Sequence, residues 1–277
     1  MMKKSNLIVG ALVGVFLTGL LSGCGTTEKK AAKAGDAKTT TITVGVTPGY
    51  SENILEFVAK EAAKEGLTVK LKTFSDYVTP DQALAQKDID LNSYQHGPFL
   101  EAFNEKNGTK LVSIGNTYLA PLKAYSKKIK DIKEIKTGDK VAIPNDPSNG
   151  GRAILLLSKK GLLKVKEGVK STKLTVHDIT ENPLNLKIIE LEAPQLPRTL
   201  DDTAISIINA GYADDAKLDR KLVVATEDNT SPYVNIIAAR AEDKDNPTYK
   251  KFVKIFQSEP VKQYILKYSA SSLTPGF

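Results

Sequence analysis

Aromatic side chains and a histidine follow two apolar runs whose alternating pattern predicts β-strands. Tyr77 follows the first run, and Tyr94, His96 and Phe99 follow the second. In α/β folds, ligand-binding loops lie at the carboxyl ends of strands. Aromatic rings there would suit a thioether, because each sulfur–ring contact contributes about 0.3–1.5 kcal/mol. The alternative is that these rings only complete a hydrophobic core.

A second candidate site lies between an apolar run and a leucine-rich helical pattern, at residues 143–152 (IPNDPSNGGR). Gly150 and Gly151 would let the backbone approach a ligand, and Asn149 would cap the helix. Free N–H groups at a helix start favour an anion, and the planar guanidinium of Arg152 suits a carboxylate. The spacing is not that of a nucleotide-binding loop. An ordinary capped helix with a surface arginine fits the pattern equally well.

Two asparagines, Asn209 and Asn235, lie at the edges of apolar runs. A carboxamide offers both a donor and an acceptor, which suits the charged ends of a zwitterion. Asparagine is also common in turns for purely conformational reasons, and this is the alternative.

Composition argues against several other functions. The histidines are His96 and His177, with no metal-ligand spacing between them, so no metal or cofactor is expected. The zinc-protease, Cys-x-x-Cys and nucleophile-elbow motifs are missing from the sequence. The single cysteine excludes an internal disulfide. The net charge is +7, but the arginines are scattered, so nucleic-acid binding is not indicated.

The amino terminus indicates export. Lys3 and Lys4 precede an apolar run at 7–21, which ends in Leu21-Ser22-Gly23-Cys24. This arrangement predicts a signal peptide over residues 1–23. The alternative, a retained membrane anchor, needs about 20 apolar residues, and the run is shorter. The ending resembles the lipobox of bacterial lipoproteins, whose cysteine is acylated, so palmitate-type chains on Cys24 would hold the protein to a membrane. Residues 24–40 lack large apolar side chains and predict a flexible tether.

From residue 41 onward, short β-rich runs alternate with helical patterns, which predicts an α/β fold with a largely parallel sheet. Ser51 is expected to cap a helix with Ile54, Leu55, Val58 and Ala62 on its apolar face. The other predicted elements are strands at 42–46, 69–74, 89–91, 111–114, 141–143, 188–191 and 204–208, and helices after Pro80 and at 98–108, 152–160, 247–256 and 261–268.

Two segments, 120–125 and 223–234, each separate one strand–helix series from the next and are interpreted as crossings between lobes. The predicted first lobe comprises residues 41–121 plus 231–277, and the predicted second lobe comprises residues 122–230. The alternative is one continuous doubly wound domain with long loops.

The chain resembles the methionine-binding lipoproteins of the bacterial methionine ABC importer, the NlpA-type lipoproteins, over essentially all of residues 41–277. The segments that carry the resemblance are 73–78 (TFSDYV), 94–96 (YQH), 115–117 (GNT), 125–129 (YSKKI), 141–147 (VAIPNDP), 191–198 (LEAPQLPR) and 231–235 (SPYVN).

The resemblance implies a two-lobed, type II-like periplasmic-binding-protein fold that closes on its ligand at a hinge. By motif position, Tyr77, Tyr94, His96 and Phe99 would surround the methionine side chain. Arg152 would pair with the methionine carboxylate.

The resemblance also implies that Asn149, Asn209 and Asn235 hold the polar groups of the ligand backbone. One departure concerns residues 95–99, which read QHGPF where relatives often have Gln-His-Lys-Pro-Tyr. A lysine and a phenolic hydroxyl are therefore missing, which could change selectivity for the side chain.

Together these features predict a non-catalytic, monomeric solute receptor, lipid-anchored on the extracytoplasmic face of the cell membrane. It would capture methionine and deliver it to an ABC permease driven by a separate ATPase. The alternative ligands are D-methionine, a methionine-containing dipeptide or another small amino acid. A surface hydrolase and a structural or adhesive lipoprotein are the alternatives from other classes.

Overall fold

The secondary structure alternates between strands and helices along most of the chain. The computed structural model describes residues 40–228, 232–268 and 272–277. The strands are β1 (Thr40–Val46), β2 (Leu67–Thr73), β3 (Leu91–Asn92), β4 (Leu111–Leu119), β5 (Lys123–Tyr125), β6 (Lys140–Pro144), β7 (Lys164–Val165), β8 (Ile179–Glu181), β9 (Lys187–Leu191), β10 (Ile205–Ile208), β11 (Val223–Thr226), β12 (Val234–Arg240) and β13 (Thr274–Pro275). The α-helices are α1 (Tyr50–Lys64), α2 (Thr79–Ala85), α3 (Gly97–Asn107), α4 (Pro147–Lys159), α5 (Ala210–Asp215), α6 (Pro247–Phe256) and α7 (Glu259–Tyr268).

Short 3-10 helical turns lie in the connections, the longest of them at Ala193–Asp201. The predicted signal peptide, Cys24 and residues 24–39 of the predicted tether lie outside the described residues. Among the helices of the described ranges, none is long and apolar enough to cross a membrane.

The described strands form two main sheets. One has six strands in the order β13-β4-β12-β3-β1-β2, and the other has five in the order β11-β5-β10-β6-β9. The strands β7 and β8 form a separate two-stranded ribbon. Both main sheets lie within one compact unit of the chain, residues 38–277. The α/β prediction is confirmed.

Both main sheets are mixed, so the prediction of a largely parallel sheet is wrong. In the first sheet β1 pairs in parallel with β2 and β3, but β12 runs antiparallel to β3 and β4. In the second sheet β6 pairs in parallel with β9 and β10, but β5 runs antiparallel to β10 and β11. Strands β5 and β12 share one property: each follows a strand of the other sheet, with no helix among the described residues between them. Only a crossover connection returns the chain in parallel. A third strand, β13, also runs antiparallel to its neighbour β4 and follows α7.

Apolar faces of the helices cover the sheets. The predicted face of α1 is confirmed, since Ile54, Leu55, Val58 and Ala62 are all buried. They pack with Phe252 and other residues of α6 and α7 against the first sheet. A second cluster joins α4 to the second sheet and includes Ile143, Leu157 and Ile205. Each fully buried Val, Leu, Ile or Phe side chain contributes about 1.5–3 kcal/mol.

The start of α1 differs from the prediction. Ser51 does not cap the helix, because α1 already begins at Tyr50 after Gly49. The φ angle of Gly49 is 87°, and a Cβ there would lie 2.4 Å from the carbonyl oxygen of Gly211. Ser51 instead shares a hydrogen bond of 3.0 Å with the hydroxyl of Tyr118. A glycine turn, which has no side-chain cap, therefore sets the first residue of this helix.

Candidate functional site

One small cavity is lined by all eight of the residues singled out in the sequence. Its wall comprises Tyr50, Tyr77, Tyr94, Gln95, His96, Phe99, Ala120, Asn149, Arg152, Asn209, Ala210 and Asn235. Most of these residues lie just after the carboxyl ends of strands β1, β3, β6 and β10, which belong to the two main sheets. The free volume between the side chains is about 20 Å³. That volume is close to the space of a single water molecule.

Three aromatic rings form one side of the cavity. The ring centre of Tyr77 lies 5.8 Å from that of Tyr94 and 6.0 Å from that of Phe99, and Tyr94 and Phe99 are 6.2 Å apart. The hydroxyl of Tyr94 donates a hydrogen bond of 2.6 Å to the backbone carbonyl of Tyr77. Burial raises the pKa of Tyr77 and that of Tyr94 well above the ordinary value, so both phenols are neutral. This side offers an apolar, polarisable surface to a ligand.

His96 is a neutral hydrogen-bond donor. Its Nδ1 accepts from the backbone N–H of Phe99 at 3.2 Å, where His96 caps the start of α3. The proton therefore lies on Nε2, which donates to Oδ1 of Asn149 at 3.1 Å. Burial, and next the positive charge of Arg152, lower the pKa of His96 to about 3. The imidazole thus orients an amide and carries no charge.

The amide of Asn209 has one atom in use and one without a partner. Its Nδ2 donates to Oδ1 of Asn149 at 3.0 Å. Its Oδ1 is buried and makes no hydrogen bond with the residues that the structure describes. Since buried acceptors are almost always paired, a donor from a ligand fits this position.

Asn235 links β12 to the loop that follows β3. It forms an isolated antiparallel bridge with His96, and its Nδ2 lies 3.4 Å from the carbonyl oxygen of Tyr94. The next residue, Ile236, donates its backbone N–H to the carbonyl of Gln95 at 2.8 Å. The strand therefore holds the Tyr94–His96 segment at the cavity wall.

Arg152 is buried and held on one side. Its Nε lies 2.8 and 2.9 Å from the two carboxylate oxygens of Glu227, and its Nη2 also pairs with Glu227. The same Nη2 donates to the carbonyl of Ala120 at 3.0 Å, and the guanidinium lies 4.5 Å from the ring centre of Tyr233. Nη1 is thus the one guanidinium nitrogen of Arg152 without a hydrogen-bond partner among the described residues.

The start of α4 corrects two predictions. The helix begins at Pro147, and the N-cap is Asp146, whose Oδ1 accepts from the backbone N–H of Asn149 at 2.9 Å. Asn149 is therefore not the cap, and the carboxylate of Asp146 occupies the place at the helix start where an external anion was expected. Arg152 accordingly lies in the second turn of the helix.

The two glycines of α4 serve packing of the protein's own backbone. A Cβ at Gly151 would lie 2.0 Å from the carbonyl oxygen of Ser171, and one at Gly150 would lie 2.9 Å from that of Pro144. The prediction that they admit a ligand is wrong, because neighbouring backbone already fills the space.

Gln95, Ala120 and Ala210 line the cavity but were not among the predicted residues, and neither were three larger side chains at the site. Tyr50 lines the cavity, and its position after β1 is the same signal that selected the residues after β3. Tyr233 packs against His96 and Arg152. Glu227 lies 75 residues along the chain from Arg152. No local sequence pattern could have paired those two charges.

A wider cleft, with a volume of about 670 Å³, adjoins the cavity and shares Tyr77 and Phe99 with it. Polar side chains around this cleft include Asp76, Lys106 and Glu192. In the described part of the chain, no three His, Cys, Asp or Glu side chains gather as a metal site would require.

The fold and the site together define a two-lobed solute-binding protein. The chain belongs to the NlpA lipoprotein family, whose model matches residues 42–277. It is 48% identical to the D-methionine-binding lipoprotein MetQ of Salmonella typhi over 263 residues, which cover 93% of this chain and 92% of that protein. Identity to MetQ of Escherichia coli K12 is 47% over the same length.

Solved structures of similar proteins share the fold. A nutrient-binding protein from Burkholderia cenocepacia, solved bound to methionine, is 47% identical, with a TM-score of 0.83 over 85% of this chain and all of that one. A putative methionine-binding lipoprotein from Bacillus subtilis is 30% identical, with a TM-score of 0.82 over 85% of this chain and 98% of that one. These similarities extend over both main sheets.

Proposed function

We propose that this protein is the methionine receptor of an ABC importer. The observation that carries the proposal is that one cavity is lined both by aromatic rings and by residues with unused polar atoms. These atoms are Nη1 of Arg152, Oδ1 of Asn209 and Oε1 of Gln95, none of which has a hydrogen-bond partner among the described residues. An amino acid carries a carboxylate, an ammonium group and a side chain, and the cavity presents a complement to each. The relatives named for methionine supply the identity of that side chain.

Each polar group of the ligand has an assigned partner. The carboxylate would accept from Nη1 of Arg152, since charge-assisted hydrogen bonds to a guanidinium are strong. The ammonium group would donate to Oδ1 of Asn209, with Asn149 and Asn235 completing its surroundings. Neutral His96 would hold Asn149 in place.

The side chain would lie against Tyr77, Tyr94 and Phe99, where a thioether gains sulfur–ring contacts. A ligand that lacks the carboxylate or the ammonium group would leave buried polar atoms unpaired, and this cost would supply the selectivity. D-methionine, a methionine-containing dipeptide and another small amino acid are the competing ligands within this proposal.

Ligand capture would require the cavity to open. A free volume of about 20 Å³ is far below that of an amino acid, so the walls must separate for entry. Opening would occur between a lobe of residues 41–121 plus 231–277 and a lobe of residues 122–230, about the crossings that join the sheets. Hinge closure around a ligand is a common motion in such receptors.

The remaining assignments concern delivery and location. The receptor would act as a monomer without catalysis and pass its ligand to a permease driven by a separate ATPase. Acyl chains on Cys24 would hold it on the extracytoplasmic face of the membrane. Replacement of Cys24 by Ala should abolish labelling by a palmitate analogue and release the protein from the membrane fraction.

Mass spectrometry of small molecules released by denaturing the purified protein tests the ligand assignment. Release of methionine would support the proposal, and chiral chromatography would then give its stereochemistry. Release of a dipeptide or a different amino acid would transfer the function to that ligand. A protein that releases nothing and shows no thermal shift with L- or D-methionine would overturn the proposal.

A further inference from the structure

Glu227 makes the most extensive contact of any side chain with the guanidinium of Arg152. Its two oxygens accept from Nε of Arg152 at 2.8 and 2.9 Å, and one of them also pairs with Nη2. Both side chains are largely buried, with exposed fractions of 3% for Arg152 and 11% for Glu227. A carboxylate at this place therefore determines how the guanidinium is oriented.

The same carboxylate is tied to the connections between the sheets. Oε2 of Glu227 accepts the backbone N–H of Leu122 at 3.1 Å, and the backbone N–H of Glu227 donates to the carbonyl of Leu122 at 2.9 Å. Leu122 lies in the connection between β4 and β5, and Glu227 lies in the connection between β11 and β12. Arg152 also donates to Ala120 in the first of these connections. The ion pair thus fastens α4 to both crossings at once.

The geometry leaves one edge of the guanidinium for a ligand. A guanidinium has five N–H donors in a rigid plane, so fixing one edge fixes the direction of the others. With Nε and Nη2 engaged by Glu227 and Ala120, Nη1 is the nitrogen with no partner among the described residues. An arginine side chain that no neighbouring carboxylate held in place would lose rotamer freedom when a ligand binds, and this loss would weaken binding.

We infer that Glu227 is a positioning residue, which aims Arg152 at the carboxylate of the ligand by anchoring it to the two crossings. This inference rests on the proposed function, because it assigns Glu227 to recognition of an amino-acid carboxylate. Glu227 itself is not among the residues that line the cavity.

A purely electrostatic role makes a different prediction. The charge of Glu227 offsets that of Arg152 and opposes an incoming carboxylate, so its removal by itself should strengthen binding of anions. Two variants separate geometry from charge. Glu227→Asp keeps the charge but draws the carboxylate back by one methylene, whereas Glu227→Gln removes the charge but keeps the length and one acceptor oxygen.

The experiment compares affinities for L-methionine and L-methioninamide, which lacks the carboxylate, by isothermal titration calorimetry. Positioning predicts that Glu227→Asp lowers the ratio of the two affinities by about tenfold, the effect of one well-oriented charged hydrogen bond. Glu227→Gln should keep the ratio within about threefold of the unchanged protein. The matched control is Asp228→Asn, which alters the neighbouring exposed ion pair with Lys159 and should leave the ratio unchanged.

Each other result decides against the inference. An unchanged ratio in Glu227→Asp, with or without a change in Glu227→Gln, would leave no positioning role. Equal loss of both affinities, together with a lowered melting temperature, would show that Glu227 only supports the fold. A ratio that rises in Glu227→Gln and stays unchanged in Glu227→Asp would attribute the effect to charge. If the unchanged protein binds neither L- nor D-methionine, the proposed function itself fails.

Discussion

His96 and Asn149 are joined by a hydrogen bond of 3.1 Å that connects the loop after β3 in the first sheet to helix α4 on the second. Oδ1 of Asn149 accepts a second hydrogen bond, from Asn209 at 3.0 Å. This single amide oxygen therefore holds elements from both sheets together at the cavity. Because burial and the charge of Arg152 lower the pKa of His96 to about 3, the contact persists at all pH values where the protein would work.

Replacement of Arg152 by Ala should weaken methionine binding far more than replacement of Lys127 by Ala. Arg152 is buried beside the cavity. In the complex its guanidinium would form a buried charged pair with the ligand carboxylate, and truncating one member of such a pair costs about 2 kcal/mol or more, about thirtyfold in affinity. Lys127 forms an exposed ion pair with Asp201, and such pairs are worth about 0–1 kcal/mol. Calorimetry on both variants measures the difference. Comparable losses would contradict the assignment of Arg152 to the carboxylate.

Replacement of Asn209 by Ala should reduce affinity for L-methionine by about tenfold, because the ammonium group would lose the acceptor Oδ1. The control ligand is 4-methylthiobutanoate, which has the same carboxylate and thioether but no amine. Its affinity should change little in the variant. A parallel loss for both ligands, measured by competition calorimetry, would argue that Asn209 shapes the cavity and does not bind the ammonium group.

Asp81 should make the protein less stable as the pH rises. Burial raises its pKa from 3.8 to about 6, although Asn92 and Gln95 donate to its Oδ1 at 2.8 and 2.6 Å. Since the folded protein binds this proton more tightly than the unfolded chain, the stabilisation is complete below about pH 4 and is lost as the pH rises through 6. The difference amounts to at most about 3 kcal/mol.

Urea unfolding at pH values from 4 to 8 tests this, with Asp81→Asn as the comparison. The unfolding free energy of the unchanged protein should fall relative to that of the variant across this interval. Parallel pH profiles for the two proteins would show that Asp81 does not titrate in this range.

Replacement of Gly151 by Ala should destabilise the fold by about 1–3 kcal/mol, since α4 must move away from the carbonyl of Ser171. Gly97 is the control, because it also lies in a helix, has no atom within 4 Å of an added Cβ and lacks a positive φ. The Gly97→Ala variant should stay within about 0.5 kcal/mol of the unchanged protein. Chemical denaturation of the two variants gives both values, and equal values would disprove the packing role of Gly151.

Periodicity predicted the elements well where a local signal existed. Helix α6 was expected at residues 247–256 and lies at Pro247–Phe256. Helix α3 was expected to end near Gly108, and this glycine follows the helix in the left-handed conformation that glycine often adopts there. Strand direction has no such signal, because alternation reads the same in either direction. Strands β5, β11 and β12 were not predicted at all, because residues 120–125 and 223–234 were interpreted as crossings and no strand was expected within or directly after them.

The candidate site was also predicted only in part, because its local motifs can be seen in the sequence and its contacts between distant residues cannot. The resemblance to a family placed eight residues, and all eight lie around one cavity, although their roles with a ligand stay a prediction. The cap of α4 was assigned to Asn149 and not to Asp146, because Pro147 at the first helical position was not used as a start signal. Glu227 depends on a contact across the fold, which one sequence does not display.

The pairing of β5 with β11 has a consequence for the construction of the molecule. The second sheet is drawn from one unbroken stretch, whose first strand residue, Lys123, is paired with its last, Thr226. The two ends of the stretch therefore meet side by side. Because chain segments with adjacent ends are the ones that tolerate insertion and transfer, we expect this stretch to be exchangeable between related receptors at a single pair of adjacent junctions.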